Sequence, residues 1–197
     1  MKVFLSGEGP DELGDLFKEP QYRGKPPLPG LLHALLEKKA SLLPEIVGAR
    51  IWKRIRKFRL AKHGDAETHN VLGLLVEADE VGADVLVFVR DQDGDEERER
   101  AVKEGIRLAR EDGRFHAKVA GGVAVQEIEA WLLAMLGERR SEDRADPKTH
   151  LRDHHGVADR EGKIRVVENA TLNNLPPDAN SLRDWLHSVE VALETPV

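Results

Sequence analysis

The run Asp84-Val85-Leu86-Val87-Phe88-Val89 constrains this chain more than any other feature. A continuous apolar segment of that length, entered from Gly82 and left through Arg90-Asp91-Gln92-Asp93-Gly94-Asp95, suits a parallel strand buried on both faces. Such a strand has no polar side, so helices must cover it above and below. The sequence offers them. Helical spacing is expected at 31–39, 65–82, 96–112, 126–136 and 181–193, and further strands at 2–6, 45–55 and 115–119, the last stopping before Gly121-Gly122. This alternation predicts an α/β fold with a mostly parallel central sheet and helices on both faces. At 197 residues the chain can bury one substantial core. The expected division is an α/β core over 1–140 and a helical C-terminal extension over 141–197, packed on that core.

Composition removes several chemistries. There is no cysteine, which excludes disulfides, thiolate nucleophiles and Cys-ligated zinc, and suits a reducing compartment. The opening apolar run is too short for a secretory core and no stretch reaches bilayer length, so a cytoplasmic protein without a membrane partner is expected. The net charge of −6 argues against a globally basic nucleic-acid binder. Charge is nevertheless segregated. Arg50, Lys53, Arg54, Arg56, Lys57, Arg59 and Lys62 form a basic run with Trp52 and Phe58 interleaved. Such a run reads either as a protected edge strand or as a phosphate track for DNA or RNA whose aromatics stack on bases.

In open α/β sheets, ligands bind beyond the carboxyl ends of the strands, where loops and helix N-termini converge. The first strand ends in Gly7-Glu8-Gly9 and the central one in Asp91 and Asp93. Residues two apart in extended chain point the same way, so both aspartates are expected to face one point, joined by Glu8 around one divalent cation. Carboxylate oxygens suit Mg²⁺ or Mn²⁺. Glu127 and Glu129 are the next acids by topology, and phosphoryl transfer is the chemistry that needs such a set. An EF-hand is a poor fit. Asp91, Asp93 and Asp95 match its first positions, but Glu96 and Val102 stand where Gly and Glu are required.

Taken together, Glu8-Gly9-Pro10-Asp11-Glu12, Asp91-Gln92-Asp93 and Glu129-Ala130-Trp131 resemble motifs of the Toprim fold, shared by topoisomerases, primases and the overcoming-lysogenization-defect nucleases. The chain looks closest to an uncharacterised bacterial branch of Toprim-like proteins, over about its first two-thirds. That resemblance implies a Mg²⁺-dependent nuclease-type protein. Glu8, Asp91 and Asp93 would be catalytic and metal-binding, Glu129 a further ligand, and Glu12, Asp95 and Glu127 supporting acids. It also implies an ATPase partner and a role as effector in antiphage defence. The sole tyrosine, Tyr22, lies in a Pro-rich loop, which disfavours strand passage.

Two other functions fit the residues. Asp91-Gln92-Asp93-Gly94 after an apolar strand matches the first motif of haloacid-dehalogenase-like phosphatases, with Asp91 as nucleophile and Asp93 as acid. A non-catalytic metal-binding regulatory or assembly module is the third reading, and homo-oligomerisation stays open. The histidines His63, His69, His116, His150, His154 and His155 match no familiar zinc spacing and read as surface residues. Lys148 and Lys163 are placed to reach a phosphate, or simply solubilise the surface.

Overall fold

A computed structural model describes residues 1–16, 28–40, 43–56 and 65–194. Tyr22, Lys57, Phe58, Arg59, Lys62 and His63 lie outside the described residues. The elements run β1 (Lys2–Gly7), α1 (Pro10–Leu13), α2 (Leu31–Lys39), β2 (Glu45–Ile51), α3 (Ala66–Glu80), β3 (Val85–Asp91), α4 (Glu96–Glu111), β4 (Lys118–Ala124), α5 (Ile128–Met135), α6 (Pro147–His155), α7 (Arg160–Asn169) and α8 (Asn180–Glu194). The four strands form one all-parallel sheet in the order β2-β1-β3-β4. This is the α/β class expected from the sequence, and it is consistent with a Toprim-like architecture. Among the described residues no helix is long and apolar enough to cross a membrane.

Period-two alternation along the strands divides the interior in two. Val85, Val87 and Val89 join one cluster with Val3, Leu5, Trp131, Leu132 and Trp185. Leu86 and Phe88 face the other, with Phe4, Trp52, Val71, Leu75 and Val102, under α3 and α4. The first cluster reaches from β1 to α8, so the helices after residue 140 pack against the same core as the strands. Trp185 donates its indole N–H to the Phe88 carbonyl at 2.8 Å, a buried bond between α8 and the central strand. Truncating a tryptophan packed this way costs about 3–5 kcal/mol.

Two boundaries differ from the expectation, each for a packing reason. The last strand is Lys118–Ala124 and runs through Gly121-Gly122 instead of stopping before them. A Cβ at Gly121 would sit 2.6 Å from Phe88 Cδ1, so this glycine permits the approach of two strands and does not break one. The second strand ends at Ile51, where the chain turns into a short 3-10 helix, Trp52–Arg54. That turn drives Trp52 into the core, leaving it 4% exposed and unable to stack on a base.

Candidate metal centre

The last residues of a buried strand keep its alternation, and at the end of β3 this separates two neighbours of opposite charge. Arg90 follows Phe88 to the α3/α4 side, while Asp91 follows Val89 to the side of α1, α5 and α7. On the Arg90 side every acid finds a guanidinium. Arg90 donates through Nε and Nη2 to Glu67 Oε1 at 3.1 and 3.0 Å, donates through Nη1 to Glu8 Oε1, and lies over the Trp52 ring. Burial, and then the neighbouring Arg98, pull its basicity below the usual arginine value. Trp52 completes the set by donating to Glu67 Oε2 at 2.7 Å.

Asp93 belongs to this matched side, against the expectation that it would face the same point as Asp91. Asp93 and Gly94 adopt φ of 51° and 72°, and the Asp95 N–H donates to the Gln92 carbonyl at 3.0 Å. An Asp-Gly pair with positive φ at both central positions makes a tight turn, so the i, i+2 rule for extended chain lapses after residue 91. The turn delivers the Asp93 carboxylate to Arg98 Nη1 at 2.6 Å. The same Arg98 nitrogen donates to the carbonyls of Asp91 and Gln92 at 2.8 and 2.9 Å, which fixes the turn. Asp95 serves as N-cap of α4, accepting from Glu97 N at 3.1 Å.

On the other side, acids gather with little compensation. Asp91 Oδ1 accepts the Ile128 N–H at 2.9 Å and so caps α5. Its carboxyl is nevertheless pushed up to about 8, by burial first and then by the negative charges of Glu12 and Glu129. Glu12 is 8% exposed and is raised too, by burial foremost. It folds back so that Oε2 accepts the Gly9 N–H at 2.6 Å. A Cβ at Gly7 would lie 2.7 Å from Glu12 Cβ, so the glycine of the first motif makes room for this acid. Glu129, on α5, accepts from Lys163 Nζ at 2.8 Å, and Lys163 also bonds Asp11. Burial works against the Lys163 charge, yet the attraction of Glu129 and the bonds to both acids hold its pKa above the usual lysine value.

Glu8 bridges the two sides. Its Oε1 meets Arg90 and also accepts the Asp91 N–H at 3.1 Å, which brings the first motif to the central strand. Glu127 stands at the start of α5, where burial, then Glu129, raise its carboxyl. Its buried Oε2 has no hydrogen-bond partner, an orphan that a cation or a water would satisfy. Arg50 starts the basic run beside the carboxyl end of β1, opposite Ser6, and is paired with Glu77. Lys53, Arg54 and Arg56 are exposed, and Arg56 also pairs with Glu80.

Does the acid set fit a hard divalent ion? Among the described residues no three of these carboxylates bring oxygens all within 4.8 Å of one another. Mg²⁺ does not require that, because it keeps several waters and takes one or two protein carboxylates. The raised Asp91 and Glu12 and the orphaned Glu127 oxygen give such an ion its attraction, so the residues fit it. A compact group that can hold a metal ion exists elsewhere. It consists of Glu138, in the turn after α5, with His150 and His155 of α6. No family model matches this chain, and no curated protein or solved structure matches it either.

Proposed function

We propose that this protein is a Mg²⁺- or Mn²⁺-dependent phosphodiesterase of the nuclease type, acting on DNA or RNA as a Toprim-like protein. One observation supports the reading above all: Asp91, at the carboxyl end of the central strand, is half-buried beside the charges of Glu12 and Glu129, with its proton held to about pH 8. Like charges gathered in a poorly solvated place lower stability, so a counter-cation is the simplest reason to keep them. Asp91, Glu12 and Glu129 would hold the ion, at most two of them directly and the rest through its waters. When bound, it would neutralise the phosphate and stabilise charge on the attacking and leaving oxygens.

The chain's own residues account for the rest. Glu8 fixes the Asp91 backbone from one side, and the Ile128 N–H fixes its carboxylate from the other. Lys163 donates to Glu129 Oε1 and holds its side chain in place. Glu127, with a raised pKa and a free oxygen, is the group suited to take a proton from an attacking water. The basic run leaves the sheet at the carboxyl end of β2, the same edge as the acids, where exposed Lys53, Arg54 and Arg56 suit a phosphate backbone. An ATPase partner and a place in antiphage defence follow from the Toprim-like resemblance.

The test is incubation of the purified full chain with plasmid and single-stranded substrates in Mg²⁺ or Mn²⁺. Asp91→Asn, which keeps an oxygen for the Ile128 N–H, should lower the rate about 1,000-fold, the size of effect expected when several kcal/mol of metal stabilisation is lost. Cleavage persisting equally in Asp91→Asn and Glu12→Gln overturns the proposal. Mg²⁺ binding without cleavage of any substrate would instead make this a non-catalytic metal-binding module.

A further inference from the structure

Glu138, His150 and His155 converge from two elements that the acid pocket does not use. Glu138 follows Gly137 in the turn after α5, and the two histidines occupy the middle and the last residue of α6. Five positions apart on a helix, they reach one carboxylate oxygen. His150 Nε2 lies 2.9 Å from Glu138 Oε1, and His155 Nε2 lies 2.5 Å from the same atom. Glu138 and His150 are half-buried, and His155 closes the group from the exposed end of α6.

From this convergence we propose that Glu138, His150 and His155 form a second metal site, specific for a zinc-class divalent ion and distinct from the carboxylate pocket. Imidazole nitrogens are borderline-soft donors that suit Zn²⁺ or Co²⁺, whereas Mg²⁺ prefers oxygen alone. Two nitrogens and one carboxylate oxygen supply three ligands of a tetrahedron and leave the fourth to water. With bonds of about 2.0–2.2 Å, tetrahedral ligands sit about 3.3 Å apart, so the nitrogens would draw back from Glu138 Oε1 by about 0.4 Å for His150 and about 0.8 Å for His155, well within side-chain reach.

The surroundings specify how binding proceeds. Arg144 Nη2 donates to Glu138 Oε2 at 2.8 Å, which orients the carboxylate and leaves Oε1 to the ion. Arg144 Nη1 also lies 3.2 Å from His150 Nδ1. With Nε2 on a metal, the neutral ring carries its proton on Nδ1, so Arg144 must release that contact. Its side chain is 34% exposed, which gives it room to move while keeping Glu138. His154 stacks on His150 with centroids 4.2 Å apart and holds the ring. The ion would staple the turn after α5 to the end of α6.

The experiment is titration of the metal-free full chain with Zn²⁺, and with Co²⁺ as a coloured reporter of tetrahedral coordination, in excess Mg²⁺. The expected result is one Zn²⁺ per chain and a tetrahedral Co²⁺ spectrum, both retained in Asp91→Asn and in His116→Ala, which removes a surface histidine. In His150→Ala and in His155→Ala the affinity should fall at least about ten-fold, with circular dichroism confirming the fold. Zn²⁺ affinity unchanged in both histidine variants, loss of binding in Asp91→Asn alone, or no tetrahedral Co²⁺ spectrum overturns the proposal.

Discussion

Arg90 and Asp91 are adjacent in the chain, yet the ground on either side of them is opposite in character. On the Arg90 side, Glu8, Glu67 and Asp93 are interleaved with Arg90 and Arg98, so buried charge is matched. On the Asp91 side, the ammonium of Lys163 pairs with Glu129 and Asp11, and the proton on Asp91 does part of the neutralising. The same residue types make a structural lock in one place and a cation-seeking pocket in the other. Acid content therefore does not mark a metal site; the balance of counter-charge does.

The largest effect should come from unlocking the matched side. Arg90→Leu leaves Glu8 and Glu67 facing each other without their guanidinium, and is expected to cost about 3–5 kcal/mol in urea unfolding. Added Mg²⁺ should not restore it. Lys163→Met removes the ammonium from the other side and should also destabilise, by up to a similar amount, but here Mg²⁺ should recover much of the loss. If Mg²⁺ rescued both variants equally, or neither, the contrast between the two sides would collapse.

A smaller and continuous effect is set by Asp91. Its carboxyl lies near 8 in the folded protein and near 3.8 when unfolded. Between those values the folded state binds more protons, so stability falls as pH rises, by up to about 1.4 kcal/mol per pH unit for this one group, and levels off above 8. Asp91→Asn should flatten that slope, and in the parent protein Mg²⁺ should bind more tightly as pH rises toward 8. A slope unchanged in Asp91→Asn would show that the proton resides elsewhere. The smallest effect is expected for Asp93→Asn. Its carboxylate is 46% exposed and paired with Arg98, so its removal should shift stability by less than about 1 kcal/mol. Cleavage lost as completely as in Asp91→Asn would return Asp93 to the metal site.

Much of the fold could be read from residues alone because β3 is apolar on both faces and leaves few arrangements open. Glu12, Asp91 and Glu129 were each visible as acids near strand ends, but their grouping was not. It depends on Asp93 leaving the strand direction, and the Asp-Gly pair that forces this is a local signal that was readable. Arg90 and Glu67 pair across 23 positions, and no local pattern announces such a pair. Lys163 left a trace: it shares a helical face with buried Val166 and Val167, an odd place for a solubilising lysine. The histidine cluster was hidden by its third member, since Glu138 precedes His150 by 12 positions in an irregular turn.

Lys163 has a consequence for how the molecule is made. It is synthesised 152 positions after its partner Asp11. A nascent chain that has not yet extruded α7 carries every acid of the pocket and none of the ammonium that tempers them. The pocket's charge balance is thus completed only once α7 has emerged and docked, long after the acids it tempers have been made.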